Sequence, residues 1–182
     1  RLTMLFHDMG KPVMKTTDEN GRDHFKGHAI ASEQIAKTVM KRLKFDNDTI
    51  RKVTKLVAYH DYRMEPTGAN VRRAMHEIGV ELFPYYLAVR LADTKAQSSY
   101  ERRGKLENII QIRELYRNAL RNKEWVTLKD LAVTGTDLIN LGIAPGKELG
   151  TLLNELLDMV IEDPAWNQKG KLCDYVKERF GF

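Results

Sequence analysis

Five histidine and aspartate side chains stand at or near the ends of predicted helices, where together they could hold a metal ion. They are His7, Asp8, His28, His60 and Asp93. A ligating group in an apolar setting needs a partner, because burying it unpaired is costly. Helices packed in a bundle can direct such groups at one centre. Imidazole and carboxylate suit Mn, Fe, Co, Ni, Zn or Mg. No thiolate accompanies them, so a structural zinc cage is not expected.

The doublet His7-Asp8 closes an apolar run that Gly10, Lys11 and Pro12 end at once. A metal ion held by this doublet would lower the pKa of a bound water and polarise a phosphoryl oxygen. The Lys11 ammonium could offset the negative charge that develops on the phosphate oxygens. The residue types therefore suit a metal site that holds a phosphate, with Asp8 and Lys11 as the candidate catalytic residues.

Each residue taken alone has a simpler interpretation. A lone His60 is more often a surface histidine or a core histidine with its hydrogen bonds made, and a lone Asp93 is more often a helix cap or an ion-pair partner. His24 and His76 have polar neighbours and no predicted role. The ordered combination of a His-Asp doublet, a Gly-His, a helix-ending His and an Ala-Asp is much rarer than its parts, which favours a joint site.

The elements that would position these side chains have helical period. In GHAIASEQIAKTVMKRLKF the apolar residues recur at steps of three and four, on one face; they are Ile35, Ala36, Val39, Met40 and Leu43. Asp46 is placed to cap the next helix, and Pro84 would sit in the first turn of a later one. Strand alternation is not seen, so the predicted class is all-α.

In the second half of the chain, the spacing of apolar residues predicts a long charged helix over 101–124. It also predicts an amphipathic helix in PGKELGTLLNELLDMVIEDP, which ends before Pro164. We interpret residues 1–100 as one helical domain, residues 101–125 as a connecting charged helix and residues 126–182 as a small helical tail domain.

Composition bounds the function only loosely. The chain has 182 residues, a formal net charge of +5 and a single cysteine, Cys173, which excludes an internal disulfide. No apolar run is long enough to span a membrane, and no secretory signal opens the chain, so we expect a cytoplasmic protein without a membrane partner. The chain begins with Arg1 in the middle of a helical pattern, so we expect a fragment of a longer protein.

The motifs HDMGKP at 7–12, GH at 27–28, His60 and AD at 92–93 resemble the HD superfamily of metal-dependent phosphohydrolases. The resemblance implies that the doublet and Asp93 hold a metal, and that Lys11 lies near the substrate phosphate. His28 and His60 match positions that hold a second metal or contact the phosphate in some branches. A further histidine from a preceding helix is usual there and is not in this sequence, so we expect weak or no metal binding.

A longer stretch is similar to the C-terminal part of bacterial tRNA nucleotidyltransferases, the CCA-adding and poly(A) polymerase-like enzymes. It includes VTKLVAYHD, VRRAMHEIGVELFPYYLAVRLADTKAQ and the tail from LAVTGTDLINLGIAPGKELG onward. The resemblance implies that residues 1–100 are an HD-type bundle lacking its N-terminal part and that the tail, residues 126–182, binds tRNA. The nucleotidyltransferase head of that family is missing from this sequence, so the resemblance implies nucleotide addition for a parent protein and not for these residues. The HD site of such enzymes is associated with hydrolysis of phosphomonoesters and 2′,3′-cyclic phosphates. The resemblance implies the same hydrolytic activity for this chain.

Two other functions remain open. Residues 11–55 and 101–125 carry surpluses of five and three basic side chains, which would suit tRNA binding through phosphates. For this the candidates are Arg113, Arg117, Arg121 and Lys147, the last in the helix start APGKELG, whose free N–H groups could hold a phosphate. A catalytically inactive scaffold is the third interpretation, and a homodimer is among the assemblies that the sequence allows.

Overall fold

The computed structural model describes residues 1–124 and 127–181. The chain forms two compact units. The first consists of Arg1–Glu65 with Ile78–Gln111, and the second of Pro66–Glu77 with Ile112–Phe182. The predicted domain boundaries, after residue 100 and after residue 125, stay a prediction. Residues 125 and 126, where the second boundary falls, lie outside the described residues.

Regular structure is almost entirely helical, which confirms the predicted class. In chain order the elements up to residue 58 are α1 (Leu2–Phe6), α2 (Lys11–Met14), β1 (Thr16–Thr17), β2 (Asp23–His24), α3 (His28–Arg42) and α4 (Asn47–Ala58). They are followed by α5 (Gly68–Ile78), α6 (Phe83–Ala96), α7 (Arg102–Arg121), α8 (Gly135–Asn140), α9 (Lys147–Glu162), a 3-10 helix (Pro164–Trp166) and α10 (Lys169–Phe180). The antiparallel strands β1 and β2 have two residues each and form a short hairpin, which the sequence analysis did not predict.

The core of the first unit lies where α3 packs on α4 and α1 packs on both. Its buried residues are Phe6, Ala36, Met40, Ile50, Val53 and Val57. The two predicted helix starts are confirmed, because the Asp46 carboxylate accepts a hydrogen bond from the Thr49 backbone N–H at 2.8 Å and Pro84 lies in the first turn of α6. Helix α6 also packs on α1 and α4, which brings the ends of four helices together.

The second unit is built around the amphipathic helix α9. Its core contains Leu138, Leu152, Leu156, Leu157, Val160, Ile161, Leu172 and Val176. Arg72 donates to the carbonyl oxygens of Ile161 at 2.7 Å and Glu162 at 2.6 Å. A guanidinium there satisfies acceptors that the end of a helix leaves without intrahelical partners.

Within the described residues, no helix combines the length and the hydropathy that crossing a bilayer requires.

Two glycines hold the loop that follows the doublet against α3. The Gly10 N–H donates to the Ser32 hydroxyl at 2.8 Å. A Cβ at residue 10 would meet the His28 carbonyl oxygen at 2.4 Å and the Ser32 nitrogen at 2.6 Å, so only glycine allows this approach. Gly27 caps α3 with a φ of 84°, a left-handed conformation that glycine adopts at little cost. The doublet is thereby fixed beside the first turn of α3.

We expect Gly10→Ala to lower the free energy of unfolding by about 1–3 kcal/mol, the usual cost of an overpacked contact. The added methyl group would clash with backbone atoms of α3, which cannot move aside as a flexible side chain would. Chemical denaturation monitored by circular dichroism measures this. The matched control is Gly104→Ala, whose new Cβ has no atom within 4 Å. Equal stability of Gly10→Ala and the parent chain would contradict the tight docking of this loop.

Candidate metal centre

Three histidines of the first unit share one hydrogen-bond pattern. Each ring donates from Nδ1 to the backbone carbonyl oxygen of the residue three positions earlier. The bonds run from His7 to Met4, from His28 to Phe25 and from His60 to Val57, at 2.9, 2.9 and 2.7 Å. A carbonyl oxygen can only accept, so Nδ1 carries the proton in each ring. In this tautomer the outward-facing nitrogen is Nε2, which is the atom through which such a ring binds metals.

The positions of these histidines at helix ends explain the shared pattern. His7 is the C-cap of α1, His28 is the first residue of α3, and His60 lies two residues beyond the end of α4. Near a helix end a side chain can reach a neighbouring carbonyl oxygen and still point its outer edge away from the helix. Because these helix ends meet in the first unit, the three outer edges turn toward the same place.

The Asp8 carboxylate lies among the three Nε2 atoms. Its Oδ1 is 3.5 Å from His28 Nε2 and 3.6 Å from His60 Nε2, and its Oδ2 is 3.4 Å from His7 Nε2. The Nε2 atoms of His28 and His60 are themselves 3.1 Å apart. Two imidazole lone pairs at this distance repel each other unless a cation or a proton lies between them. Ligand atoms of Asp8, His28 and His60 all lie within 4.8 Å of one another, which suits a single metal ion.

Asp93 approaches the same group from α6. Its Oδ1 is 3.6 Å from His7 Nε2. Its Oδ2 accepts a hydrogen bond from the Gln97 amide at 2.7 Å, which holds the carboxylate in a defined orientation. The structure thus brings all five predicted ligands together. Asp8, His28 and His60 form the compact set, and His7 and Asp93 lie at its edge.

Lys11 forms an ion pair with the doublet. Its Nζ is 2.5 Å from Asp8 Oδ2, and the lysine side chain is 39% exposed. Burial raises the pKa of the Asp8 carboxyl, but the hydrogen bond from Lys11 and the neighbouring His7 and His60 outweigh it, so the pKa falls below its usual value. Asp8 is consequently ionised at neutral pH, as a metal ligand must be. The exposed ammonium can also reach outward, toward a bound anion.

His60 is the most enclosed of the three rings, with its side chain 3% exposed. Burial lowers the pKa of His60 below its ordinary value, and the hydrogen bond to Val57 offsets only part of this effect. The ring is therefore neutral at neutral pH, and its Nε2 remains able to bind a cation. A buried histidine that faces a carboxylate and a second imidazole is a candidate metal ligand.

The predicted RNA-binding residues lie in the second unit. Arg113, Arg117 and Arg121 are spaced four residues apart on α7, and Lys147 is the first residue of α9. Arg117 pairs with Glu114 at 2.7 Å, which neutralises part of this charge. The start of α9 is capped by Gly146 without a side-chain hydrogen bond.

Sequence reasoning missed the residues that orient the ligands. Gln97 fixes Asp93, and Ser32 anchors the loop after the doublet through Gly10. Both follow a predicted ligand by four residues, Gln97 after Asp93 and Ser32 after His28, so helical spacing could have identified them. Of the histidines without a predicted role, His24 pairs with Asp18 in the hairpin and His76 is exposed.

The chain is similar to proteins of tRNA end processing. A family model described as "tRNA nucleotidyltransferase domain 2 putative" matches residues 28–176. A CC-adding tRNA nucleotidyltransferase of Thermus thermophilus is 30% identical over 168 residues, which are 89% of this chain and 36% of that protein. The chain thus spans well under half the length of this curated relative. No solved structure matches the chain.

We expect a divalent cation such as Mn²⁺ to stabilise the chain, by about 2.7 kcal/mol at a concentration roughly one hundred times the dissociation constant. His28→Gln should remove most of this gain, because it takes away one of the two facing imidazoles. Thermal unfolding with and without the ion measures both.

The matched control for this prediction is His76→Gln, which alters an exposed histidine on α5. It should keep the full stabilisation by the ion. An equal shift in melting temperature for His28→Gln and His76→Gln would contradict the assignment of the ligands.

Proposed function

The chain belongs to the tRNA nucleotidyltransferase domain 2 family, and from this we propose that it carries an HD-type metal centre that hydrolyses phosphate esters at RNA ends. The observation that supports the proposal is the convergence of His28 Nε2, His60 Nε2 and the Asp8 carboxylate. Membership of the HD superfamily is part of the proposal, as are the substrates, which would be phosphomonoesters and 2′,3′-cyclic phosphates.

The donor set fits a divalent metal ion. Nitrogen and carboxylate oxygen ligands suit Mn, Fe, Co, Ni, Zn or Mg. Asp8, His28 and His60 would hold the ion, with His7 and Asp93 available beside them. When bound, such an ion activates a water molecule and polarises a phosphoryl oxygen.

The remaining roles fall to the chain's own side chains. Lys11 can exchange its contact with Asp8 for a phosphate oxygen and so offset the charge on the reacting phosphate. Gln97 keeps Asp93 in orientation, and the backbone carbonyl partners of the histidines keep each Nε2 turned inward. These fixed hydrogen bonds preorganise the site, so binding of the ion and substrate needs little rearrangement.

The Thermus thermophilus relative is a CC-adding tRNA nucleotidyltransferase, and this chain covers 36% of that protein. Nucleotide addition by a longer protein that contains this chain is therefore part of the proposal, with tRNA as its substrate. Within such a protein, the site described above would act on RNA ends that carry a phosphate. This combination would place end repair and end extension on one chain.

We expect Asp8→Ala to reduce hydrolysis of a 2′,3′-cyclic nucleotide to the background rate while circular dichroism stays unchanged. The variant removes a ligand at the surface of the site and opens no core cavity. The assay compares Mn²⁺, Co²⁺, Ni²⁺ and Mg²⁺, each in excess, on a cyclic nucleotide and on a generic phosphodiester.

Asp158→Ala serves as the matched control, since Asp158 is an exposed aspartate of α9. It should keep the parent rate with every ion. Equal rates for the Asp8→Ala and Asp158→Ala variants would rule out hydrolysis at this site.

A second function, tRNA binding, is favoured by the row of arginines on α7. Residues four apart share one helix face, so Arg113, Arg117 and Arg121 present their charge along one line. RNA helices are recognised largely through phosphates and 2′-hydroxyls, which such a row could contact without reading sequence. This function needs no metal and would persist in an inactive centre.

We expect simultaneous replacement of Arg113, Arg117 and Arg121 by Glu to weaken tRNA binding strongly. The log–log dependence of affinity on salt should become shallower by about 0.7–0.9 for each phosphate that the variant no longer neutralises. A control of equal charge change replaces three exposed lysines of the same unit by Glu; they are Lys129, Lys171 and Lys177. If the two triple variants bind tRNA alike, general charge and not the α7 row accounts for the affinity.

A further inference from the structure

A cleft of about 540 Å³ opens in the first unit. One wall comes from α6, another from the first turns of α7, and a third from the segment that follows His60. Its volume lies in the range of small-ligand sites in proteins, so one nucleotide would fit. None of the roles proposed above uses this cleft.

The cleft carries an excess of positive charge. Three cations line it, Arg63, Arg90 and Lys105, against the single carboxylate of Glu101. Arg63 is already paired with Asp61 at 2.9 Å.

The other two cations have no carboxylate partner within the part of the chain that the structure describes. Arg90 donates to the Tyr62 carbonyl oxygen at 2.9 Å, and Lys105 donates to the Gln97 side-chain oxygen at 3.2 Å. Each of these hydrogen bonds orients the side chain of its cation, and because both acceptors are uncharged, neither bond neutralises the positive charge. Two half-buried, fixed cations beside open space favour an anionic ligand.

Hydrogen bonds connect the cleft to the candidate metal centre. Gln97 donates to Asp93 at 2.7 Å and accepts from Lys105 at 3.2 Å, so one amide separates a predicted ligand from a cleft cation. Arg90 precedes Asp93 by one turn of α6, and Arg63 follows His60 by three residues. An anion in the cleft would thus be the neighbour of a phosphate at the metal centre.

The cleft also offers room and an apolar surface. Gly104 lies in the first turn of α7, and a Cβ built there has no atom within 4 Å. The missing side chain therefore leaves the cleft open. Met64 supplies a polarisable thioether on which a flat ring can pack, and the Asn108 amide holds the Met64 carbonyl oxygen at 3.3 Å.

We propose that this cleft binds the nucleotide adjacent to the phosphate at the candidate metal centre, and so selects single-stranded RNA ends as ligands. The inference rests on the proposed function for its substrate class. Arg90 and Lys105 would contact the phosphate of that nucleotide, and Met64 would contact its base. RNA is favoured over an acidic peptide because the charge, the apolar contact and the neighbouring phosphate chemistry all suit a nucleotide.

The test uses Gly104→Leu, which fills the cleft and removes no charge, with Gly104→Ala as its matched control. Both are made in the Asp8→Ala background, where hydrolysis does not consume the probe. The probe is a fluorescein-labelled tricytidylate with a 3′-phosphate, and anisotropy measures its binding. We expect Gly104→Leu to weaken binding at least tenfold, Lys105→Gln to weaken it severalfold, and Gly104→Ala to stay within twofold of the parent.

Two further probes identify the ligand. Unlabelled tricytidylate 3′-phosphate should compete with the labelled probe, whereas a hexaglutamate peptide should not. Gly104-dependent binding of the peptide as tight as that of the tricytidylate would overturn the choice of RNA. Unaltered tricytidylate binding by Gly104→Leu, or no binding by the parent chain, would overturn the cleft itself.

The binding assay separates this inference from the proposed function. Loss of binding in Gly104→Leu together with full hydrolysis by Asp8→Ala would uphold the cleft and reject hydrolysis at the metal centre. Unaltered binding by Gly104→Leu together with loss of hydrolysis in Asp8→Ala would reject the cleft and uphold hydrolysis at the metal centre. In the chain with Asp8 intact, Gly104→Leu should raise KM for a trinucleotide 2′,3′-cyclic phosphate and leave KM for a mononucleotide nearly unchanged, since only the longer substrate reaches the cleft.

Discussion

The candidate metal centre depends on three hydrogen bonds between imidazole Nδ1 atoms and backbone carbonyl oxygens at or near helix ends. They fix the tautomer of His7, His28 and His60, and they turn every Nε2 toward Asp8. Two Nε2 lone pairs 3.1 Å apart repel each other unless a cation or a proton lies between them. Helix packing brings the helix ends together, and a metal ion bound between the rings, as proposed above, would remove this repulsion.

The scaffold supports this arrangement at backbone level. Gly10 lets the loop after the doublet touch α3, and Gly27 starts α3 in a left-handed conformation, so His28 follows directly at the helix start. Gln97 then connects the site to α7 through Lys105. Each of these contacts holds a candidate ligand or its loop through a neighbouring residue, and such support is what a preorganised site requires.

Much of this could be predicted from the sequence. Helical period located α3, α4 and α9, and capping chemistry located Asp46 and Pro84, because these signals are local in the chain. The resemblance to tRNA nucleotidyltransferases is confirmed by the family match. The five ligand candidates followed from residue types and motif order, although their roles stay predictions.

The rest depends on contacts between distant residues, which no local pattern encodes. The β1–β2 hairpin is only two residues per strand, too short to show alternation. The grouping of α5 residues with the C-terminal unit reflects contacts such as Arg72 with the end of α9. The cleft arises from three separate segments and from the side chain that Gly104 lacks.

The most direct test of a metal centre at His28, His60 and Asp8 is X-ray diffraction from crystals of this chain grown with Mn²⁺, with anomalous data that locate the ion. We expect one anomalous peak at ligand distance, about 2.0–2.2 Å from the two Nε2 atoms and from an Asp8 oxygen, with Nδ1 of both rings still bonded to backbone carbonyl oxygens. Manganese bound elsewhere, or His28 and His60 rotated so that their Nε2 atoms diverge, would contradict the account.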